Sequence, residues 1–111
     1  MIRLTVLYNL QPYVDEVEFL EWRLTDHQVE NMAVQGVLCS DFSRITEGWP
    51  VDLKPPYQFM TTADWPNMES YRNDFYDEDY QAKLRENIKM LKDPIFLVSE
   101  ILIHETKEAN Q

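Results

Sequence analysis

The feature that most constrains this fold is the order of its hydrophobic patterns. Residues 2–9 alternate apolar and other side chains, as a strand with one buried face does. A helical stripe, two strand patterns, a second helical region and a last strand pattern follow. This βαββαβ order predicts an α+β fold of the ferredoxin-like type, in which an antiparallel sheet carries its helices on one face. The other face of such a sheet stays open.

Local signals set the expected bounds of these elements. Asp15 has the side chain of a helix N-cap. The apolar stripe of the first helix comprises Val17, Leu20 and Leu24, widened by Phe19 and Trp22. Gly36 suits the end of this helical region. The second helical region is expected to end at Asp93-Pro94, because proline cannot continue a helix. The later strands are predicted over 37–45, 57–64 and 95–103.

Size and charge limit the class of protein. With 111 residues the chain has room for one domain, which we expect over 1–104 with a polar tail over 105–111. Its net charge of -10 disfavours nucleic acid and anionic membrane surfaces as partners. We find no signal-peptide pattern and no run approaching the ~20 apolar residues of a membrane helix. We therefore expect a cytoplasmic protein that contacts no membrane.

A small domain with an open sheet face leaves much of its apolar surface uncovered. Pairing with a second copy is an economical way to cover that face. Two open faces placed together would form a β-barrel that encloses a cavity, with the helices outside. We therefore expect a homodimer of the dimeric α+β barrel type. Cys39 is the single cysteine, which precludes an intrachain disulfide, and we expect it to be buried in a strand.

His27 is the residue at which we expect chemistry. It follows Leu24 by three positions and Leu20 by seven, so in a continuous helix its imidazole faces the core. An imidazole near its ordinary pKa can donate or accept a proton at neutral pH, and Asp26 and Glu30 could orient it. The alternative is structural: His27 satisfies a helix end or pairs with Glu30.

Five further residues are candidates for contacting a ligand. Glu100 is a carboxylate in an apolar strand, which must be paired, hydrogen-bonded or wet; its alternative is an ion pair with Arg3 or Arg44. Two polar residues of the strands could hold a polar group of a ligand or serve only as strand-end hydrogen-bonding groups. Two aromatic residues could wall a pocket or belong to the core. The two polar residues are Asn9 and Asp41, and the two aromatic residues are Trp22 and Phe42.

Residue counts argue against several cofactors. Two histidines and one cysteine without clustered spacing predict no metal site. Two glycines are too few for a Rossmann fingerprint or a P-loop. Haem would have only His27 as a plausible axial ligand. We therefore expect no cofactor.

The sequence resembles EthD-like members of the dimeric α+β barrel superfamily. The resemblance covers nearly the whole domain and is carried by Leu4 to Leu10, Phe19, Glu21-Trp22, His27, Gly48-Trp49-Pro50, Pro56-Tyr57, Phe59, Lys92-Asp93-Pro94 and Val98-Ser99-Glu100. The first strand, with Val6-Leu7-Tyr8-Asn9, also resembles the REDY and HapK-like proteins associated with prodiginine pigment pathways. The two families share a fold.

The resemblance implies a homodimer with a hydrophobic ligand cavity between sheet and helices, bordered by His27. It further implies a small cofactor-independent enzyme of the cyclase or isomerase type, acting on an aromatic or polyketide-like molecule in catabolism or secondary metabolism. One alternative is a non-catalytic accessory protein that binds a hydrophobic intermediate of an oxidising or pigment pathway. Another is a cofactor-free monooxygenase. The fold alone does not decide among them.

Overall fold

The computed structural model describes residues 1–107. Residues 108–111 of the predicted polar tail lie outside this range. The elements are β1 (Ile2–Leu10), α1 (Glu16–Leu24), α2 (Asp26–Met32), β2 (Cys39–Arg44), β3 (Phe59–Trp65), α3 (Met68–Phe75), α4 (Glu78–Asn87), a 3-10 turn (Ile88–Met90) and β4 (Leu91–Glu100). The predicted βαββαβ order is confirmed, with two helices in each helical region. None of the described helices is long and apolar enough to cross a membrane.

The four strands form one antiparallel sheet in the order β2-β3-β1-β4. The first strand lies next to the last, as the ferredoxin-like fold requires. β1 therefore has a neighbour on both sides and lies at the centre, whereas β4 is an edge strand. Ile2 lies opposite Trp65 on β3 and opposite Glu100 on β4.

The period-two pattern of β1 determines where the core lies. Ile2, Leu4, Val6 and Tyr8 are all buried, and the intervening side chains point to the opposite face. The buried side packs against the helices in a cluster that includes Phe19, Phe59, Trp65 and Tyr71. The expectation that the apolar face of this strand takes the helices is confirmed.

Helix α1 buries only part of the predicted stripe. Asp15 caps it as expected, accepting a hydrogen bond from the Glu18 amide. Val17 and Leu24, however, are 75% and 61% exposed. The buried positions are Phe19 and Arg23, with Leu20 and Trp22 partly buried. The spacing 19, 22 and 23 is also helical, and the large aromatic rings take the core side because they remove more apolar area from water.

The predicted end of the second helical region is wrong. α4 ends at Asn87 and β4 begins at Leu91, so Pro94 lies inside a strand. A β-bulge makes this possible, because Asp93 and Pro94 together lie opposite the single residue Tyr8. Asp93 adopts a left-handed φ of 52°, which aspartate tolerates better than most residues. Proline is tolerated in an edge strand at a bulge.

Gly36 follows the first helical region for a reason other than the expected helix end. α2 ends at Met32, and a Cβ at Gly36 would overlap Ser70 Oγ and lie 2.6 Å from Asp74 Oδ2. The Gly36 amide donates to Asp74 Oδ2 at 2.8 Å, and Trp65 Nε1 donates to the same oxygen at 2.8 Å. Gly36 is therefore required for the close approach of this loop to α3.

Candidate functional site

A cavity of about 620 Å³ lies on the helical side of the sheet. Its floor is formed by β1 and β3, and its walls come from α1, α2, α4 and the start of β4. Its volume lies within the range of small-molecule pockets. Most of its surface is apolar, with contributions from Leu4, Val6, Phe19, Trp22, Ile88 and Phe96. Such walls suit a hydrophobic molecule.

His27 lies in the first turn of α2 and lines this cavity. The helical path breaks at Thr25, with φ -115° and ψ -91°, and restarts at Asp26. The His27 ring stacks on Trp22 with the centroids 4.3 Å apart and an interplanar angle of 23°. The break therefore does not carry the imidazole away from the core-facing side.

The environment of His27 keeps it neutral. Burial is the main cause that lowers the pKa of His27 from its ordinary 6.5, and the Arg23 charge lowers this pKa further; Glu30 opposes the shift. Nδ1 is buried without a hydrogen-bond partner among residues 1–107 and lies 3.7 Å from a carboxylate oxygen of Glu30. At neutral pH the ring is therefore an imidazole that can accept a proton.

Arg23 is the functional residue that the sequence analysis missed. It is 2% exposed and lines the cavity between Phe19 and His27, at four-residue spacings along the chain. Its guanidinium donates to Gln28 Oε1 at 2.8 Å and to Thr61 Oγ1 at 3.5 Å. The signal that could have identified it is its place on the same helical face as Phe19 and His27.

A hydroxyl pair adjoins the Arg23 guanidinium. Tyr8 and Thr61 lie on neighbouring strands, and their oxygens are 3.1 Å apart. Burial raises the pKa of Tyr8, so its phenol stays protonated at neutral pH. This part of the cavity thus holds one cation and two neutral hydroxyls. The exposed carboxylates Glu30, Asp77 and Asp79 line the part of the cavity formed by α2 and the start of α4.

Of the six residues singled out from the sequence, the structure brings two to the cavity wall, His27 and Trp22. Phe42 lies next to this site, packed on Phe19 and under the Arg23 guanidinium at 4.5 Å. The ligand-contacting roles of these residues stay predictions.

The other three candidates lie elsewhere. Asn9 joins its strand to the loop before β3, donating to the Pro56 carbonyl and accepting from the Gln58 amide, each at 2.9 Å. Asp41 is an exposed residue of the open sheet face, and Glu100 is exposed at the end of β4. Their contact with a ligand remains a prediction that the cavity geometry does not support.

The two arginines considered as ion-pair partners of Glu100 contact other carboxylates instead. Arg3 pairs with Asp64 and Arg44 approaches Glu16 at 3.9 Å. Cys39 is exposed in the single chain, contrary to expectation, because it lies on the open face and donates its thiol to Asp64 at 3.2 Å. Within residues 1–107, no group of three or more histidine, cysteine or acidic side chains is placed to hold a metal ion.

The fold and the cavity define a ferredoxin-like α+β protein whose architecture supports small-molecule binding or catalysis. The model of one family, described as REDY-like protein HapK, matches residues 2–102. The chain therefore belongs to this family. A search of the curated proteins finds no match.

Solved structures extend the likeness at the level of the fold. An EthD family protein from Bacillus halodurans is 20% identical, with a TM-score of 0.72 over 92% of this chain and 99% of that one. A dimeric ferredoxin-like protein of unknown function from Thermobifida fusca is 17% identical, with a TM-score of 0.67 over 90% of each chain. SnoaB, a cofactor-independent oxygenase from Streptomyces nogalater, is 8% identical, with a TM-score of 0.71 over 96% and 97%.

Proposed function

We propose that this protein is a small cofactor-independent enzyme of the cyclase or isomerase type. Its substrate is a hydrophobic aromatic or polyketide-like molecule held in the cavity, and His27 moves a proton. The observation that carries the proposal is a neutral imidazole with an unpartnered buried Nδ1 among residues 1–107, placed on the wall of an apolar cavity. Fold likeness to a cofactor-independent oxygenase and to an EthD family protein agrees with chemistry in such a cavity.

The proton step follows from the surroundings of His27. The neutral ring takes a proton from a carbon next to a carbonyl, and the electrons of the C–H bond move to the carbonyl oxygen. The resulting imidazolium lies near the Glu30 carboxylate, 3.7 Å from Nδ1, which stabilises its charge. Where the enolate is conjugated with a further double bond, return of the proton to the far end of that conjugated system isomerises the substrate. Attack of the enolate carbon on a second carbonyl instead forms a C–C bond and cyclises the substrate, and the resulting alkoxide takes the proton back from the imidazolium. Neither step needs an oxidant.

Aromatic rings supply the binding surface for such a substrate. Trp22 is stacked on His27, and Phe19 contacts Trp22 at a centroid distance of 6.0 Å. A flat ligand that packs against this group would place its reactive carbon beside the imidazole. Holding the two reacting groups together contributes to rate independently of the acid-base step.

We also propose that the protein acts as a homodimer through its open sheet face. Leu97 and Ile95 on that face are 51% and 38% exposed in the single chain. Likeness to a dimeric ferredoxin-like protein supports this pairing. Leu97→Asp should convert dimer to monomer in light scattering, whereas Val17→Asp, at an exposed apolar site on α1, should not. A monomeric wild type, or a dimer that survives Leu97→Asp, would contradict the proposed interface.

The proton step can be tested with β-tetralone, a bicyclic ketone with acidic C–H groups next to its carbonyl. In D₂O the wild type should accelerate deuterium incorporation, measured by NMR, and His27→Ala should lose about a hundredfold or more of that acceleration. His104→Ala is the matched control, since it removes the other histidine and should leave exchange unchanged. Equal exchange by His27→Ala and wild type would overturn the assignment of His27.

Two alternatives have distinct readouts in the same experiment. Binding of β-tetralone without accelerated exchange would favour the accessory ligand-binding protein. Consumption of dissolved oxygen with an aromatic phenol, measured at an electrode, would favour a cofactor-free monooxygenase, the activity class suggested by the likeness to SnoaB.

A further inference from the structure

We infer that the molecule bound in this cavity carries a carboxylate and that Arg23 is the residue that recognises it. This inference rests on the proposed function in one respect, namely that the cavity is the ligand site. It adds the chemical class of the ligand, an aromatic carboxylate, and a specificity-determining residue.

Arg23 is a buried cation without a charged partner among residues 1–107. Arg23 is 2% exposed, and no carboxylate of residues 1–107 lies within 4.0 Å of its nitrogens. Charges removed from water are ordinarily paired, because desolvation of an ion is unfavourable even after the protein relaxes. A guanidinium stays protonated under these conditions, although burial lowers the pKa of Arg23. An anionic ligand would supply the missing charge.

Among residues 1–107, the groups that face Arg23 are all neutral at pH 7. α2 contributes the Gln28 amide and the His27 imidazole, β1 the Tyr8 phenol, and β3 the Thr61 hydroxyl. β2 contributes the Phe42 ring, 4.5 Å below the guanidinium, which compensates the charge only in part. These partners orient the guanidinium without neutralising it, which is what recognition of an incoming anion requires.

The shape of the site also suits a carboxylate. A guanidinium presents its donors in a planar fork that matches the two oxygens of a carboxylate. The Tyr8 hydroxyl, 3.1 Å from Thr61, offers a further donor nearby. The apolar walls receive the carbon skeleton. Binding of a carboxylate here would also offset the Arg23 charge that lowers the pKa of His27 and so make the imidazole a stronger base.

The test compares β-naphthoate with its neutral isostere β-naphthamide by calorimetry. The wild type should bind the acid at least about tenfold tighter, as charge-assisted hydrogen bonds imply. Arg23→Gln should abolish this preference and leave naphthamide binding unchanged, and Arg23→Lys should retain part of it. Arg85→Gln is the matched control, because Arg85 is an exposed cation of α4 outside the cavity lining; its substitution should change both affinities less than about threefold.

Several outcomes would overturn the inference. Equal affinity of the wild type for acid and amide, or no binding of either, would do so. Equal weakening of both ligands by Arg23→Gln would assign Arg23 to packing, and a lost preference in Arg85→Gln would assign recognition to surface charge. Should Arg23→Gln not fold, the wild-type ratio and Arg23→Lys decide.

The result is separable from the test of the proton step. A carboxylate preference together with normal deuterium exchange by His27→Ala would leave this inference standing and overturn the role of His27. Loss of deuterium exchange in His27→Ala, together with no carboxylate preference in the wild type, would support the role of His27 and overturn this inference.

Discussion

Two arginines on opposite faces of the same sheet differ in their burial and in the charge of their hydrogen-bond partners. On the open face, Arg3 donates to both oxygens of Asp64, at 2.8 and 2.9 Å, and its side chain is 38% exposed. On the helical face, Arg23 is 2% exposed and donates only to neutral oxygens. The more accessible cation has the better partner, which is the reverse of what stability alone favours.

The difference distinguishes a structural charge from a functional one. The hydrogen bonds from Arg3 lower the pKa of Asp64 and raise the pKa of Arg3 itself, so each partner stabilises the charged form of the other. Burial lowers the pKa of Arg23 instead, which means that folding disfavours its charge. A fold retains such a destabilising group where function requires it.

Removing Asp64 should give the largest effect on stability. Its carboxylate is 3% exposed and accepts hydrogen bonds from Arg3 and from the Cys39 thiol. We expect Asp64→Ala to lower the free energy of unfolding by about 2–3 kcal/mol in urea denaturation at fixed protein concentration. Asp41→Ala, at an exposed carboxylate on the same face, should cost less than about 0.5 kcal/mol. Equal losses would mean that the Arg3 pair contributes nothing specific.

His27 on the helical face and Asp64 on the open face contribute to stability in different ranges of pH. The folded pKa of His27 is lowered, so the unfolded chain binds more protons between that pKa and 6.5. The contribution of neutral His27 to the free energy of unfolding is therefore fully present above pH 6.5 and is lost as the pH falls from 6.5 to the lowered pKa. The folded pKa of Asp64 is also lowered, so its stability is present above 3.8 and is lost below it. We expect the free energy of unfolding of His27→Gln to depend less on pH than that of the wild type, between neutral pH and the lowered pKa of His27. This change in the free energy of unfolding should be smaller than the change that Asp64→Ala causes.

Most of the fold could be predicted from the sequence because it depends on periodicity. The alternation in β1 survives folding unchanged, since each strand residue has only two faces to choose between. A helix has more choices. In α1 the Val17 and Leu24 stripe competed with the Phe19 and Arg23 stripe, and only packing against the sheet decided the outcome.

The site was less predictable because it depends on long-range contacts. His27 and Trp22 could be found from their spacing along one helical region. Arg23 could not be distinguished from a surface cation, because its burial arises from contacts with Phe42 and Thr61, which lie on other elements. The helix end predicted at Pro94 was wrong for the same reason. A strand accepts this proline because β4 is an edge strand with a bulge, and the local sequence does not show that.

The smallest expected effect concerns the unpaired arginine. Arg23→Gln removes a buried charge that has no carboxylate partner within residues 1–107, but it also removes the contact with Phe42. The two effects oppose each other, so without ligand we expect a change within about 1 kcal/mol of either sign. The same substitution should raise the pKa of His27, measured by NMR titration, because the Arg23 charge lowers it. Arg44→Gln, at an exposed cation on β2, should leave that pKa unchanged. A loss as large as that of Asp64→Ala would show that Arg23 supports the fold as Arg3 does, and the contrast between the two faces would fail.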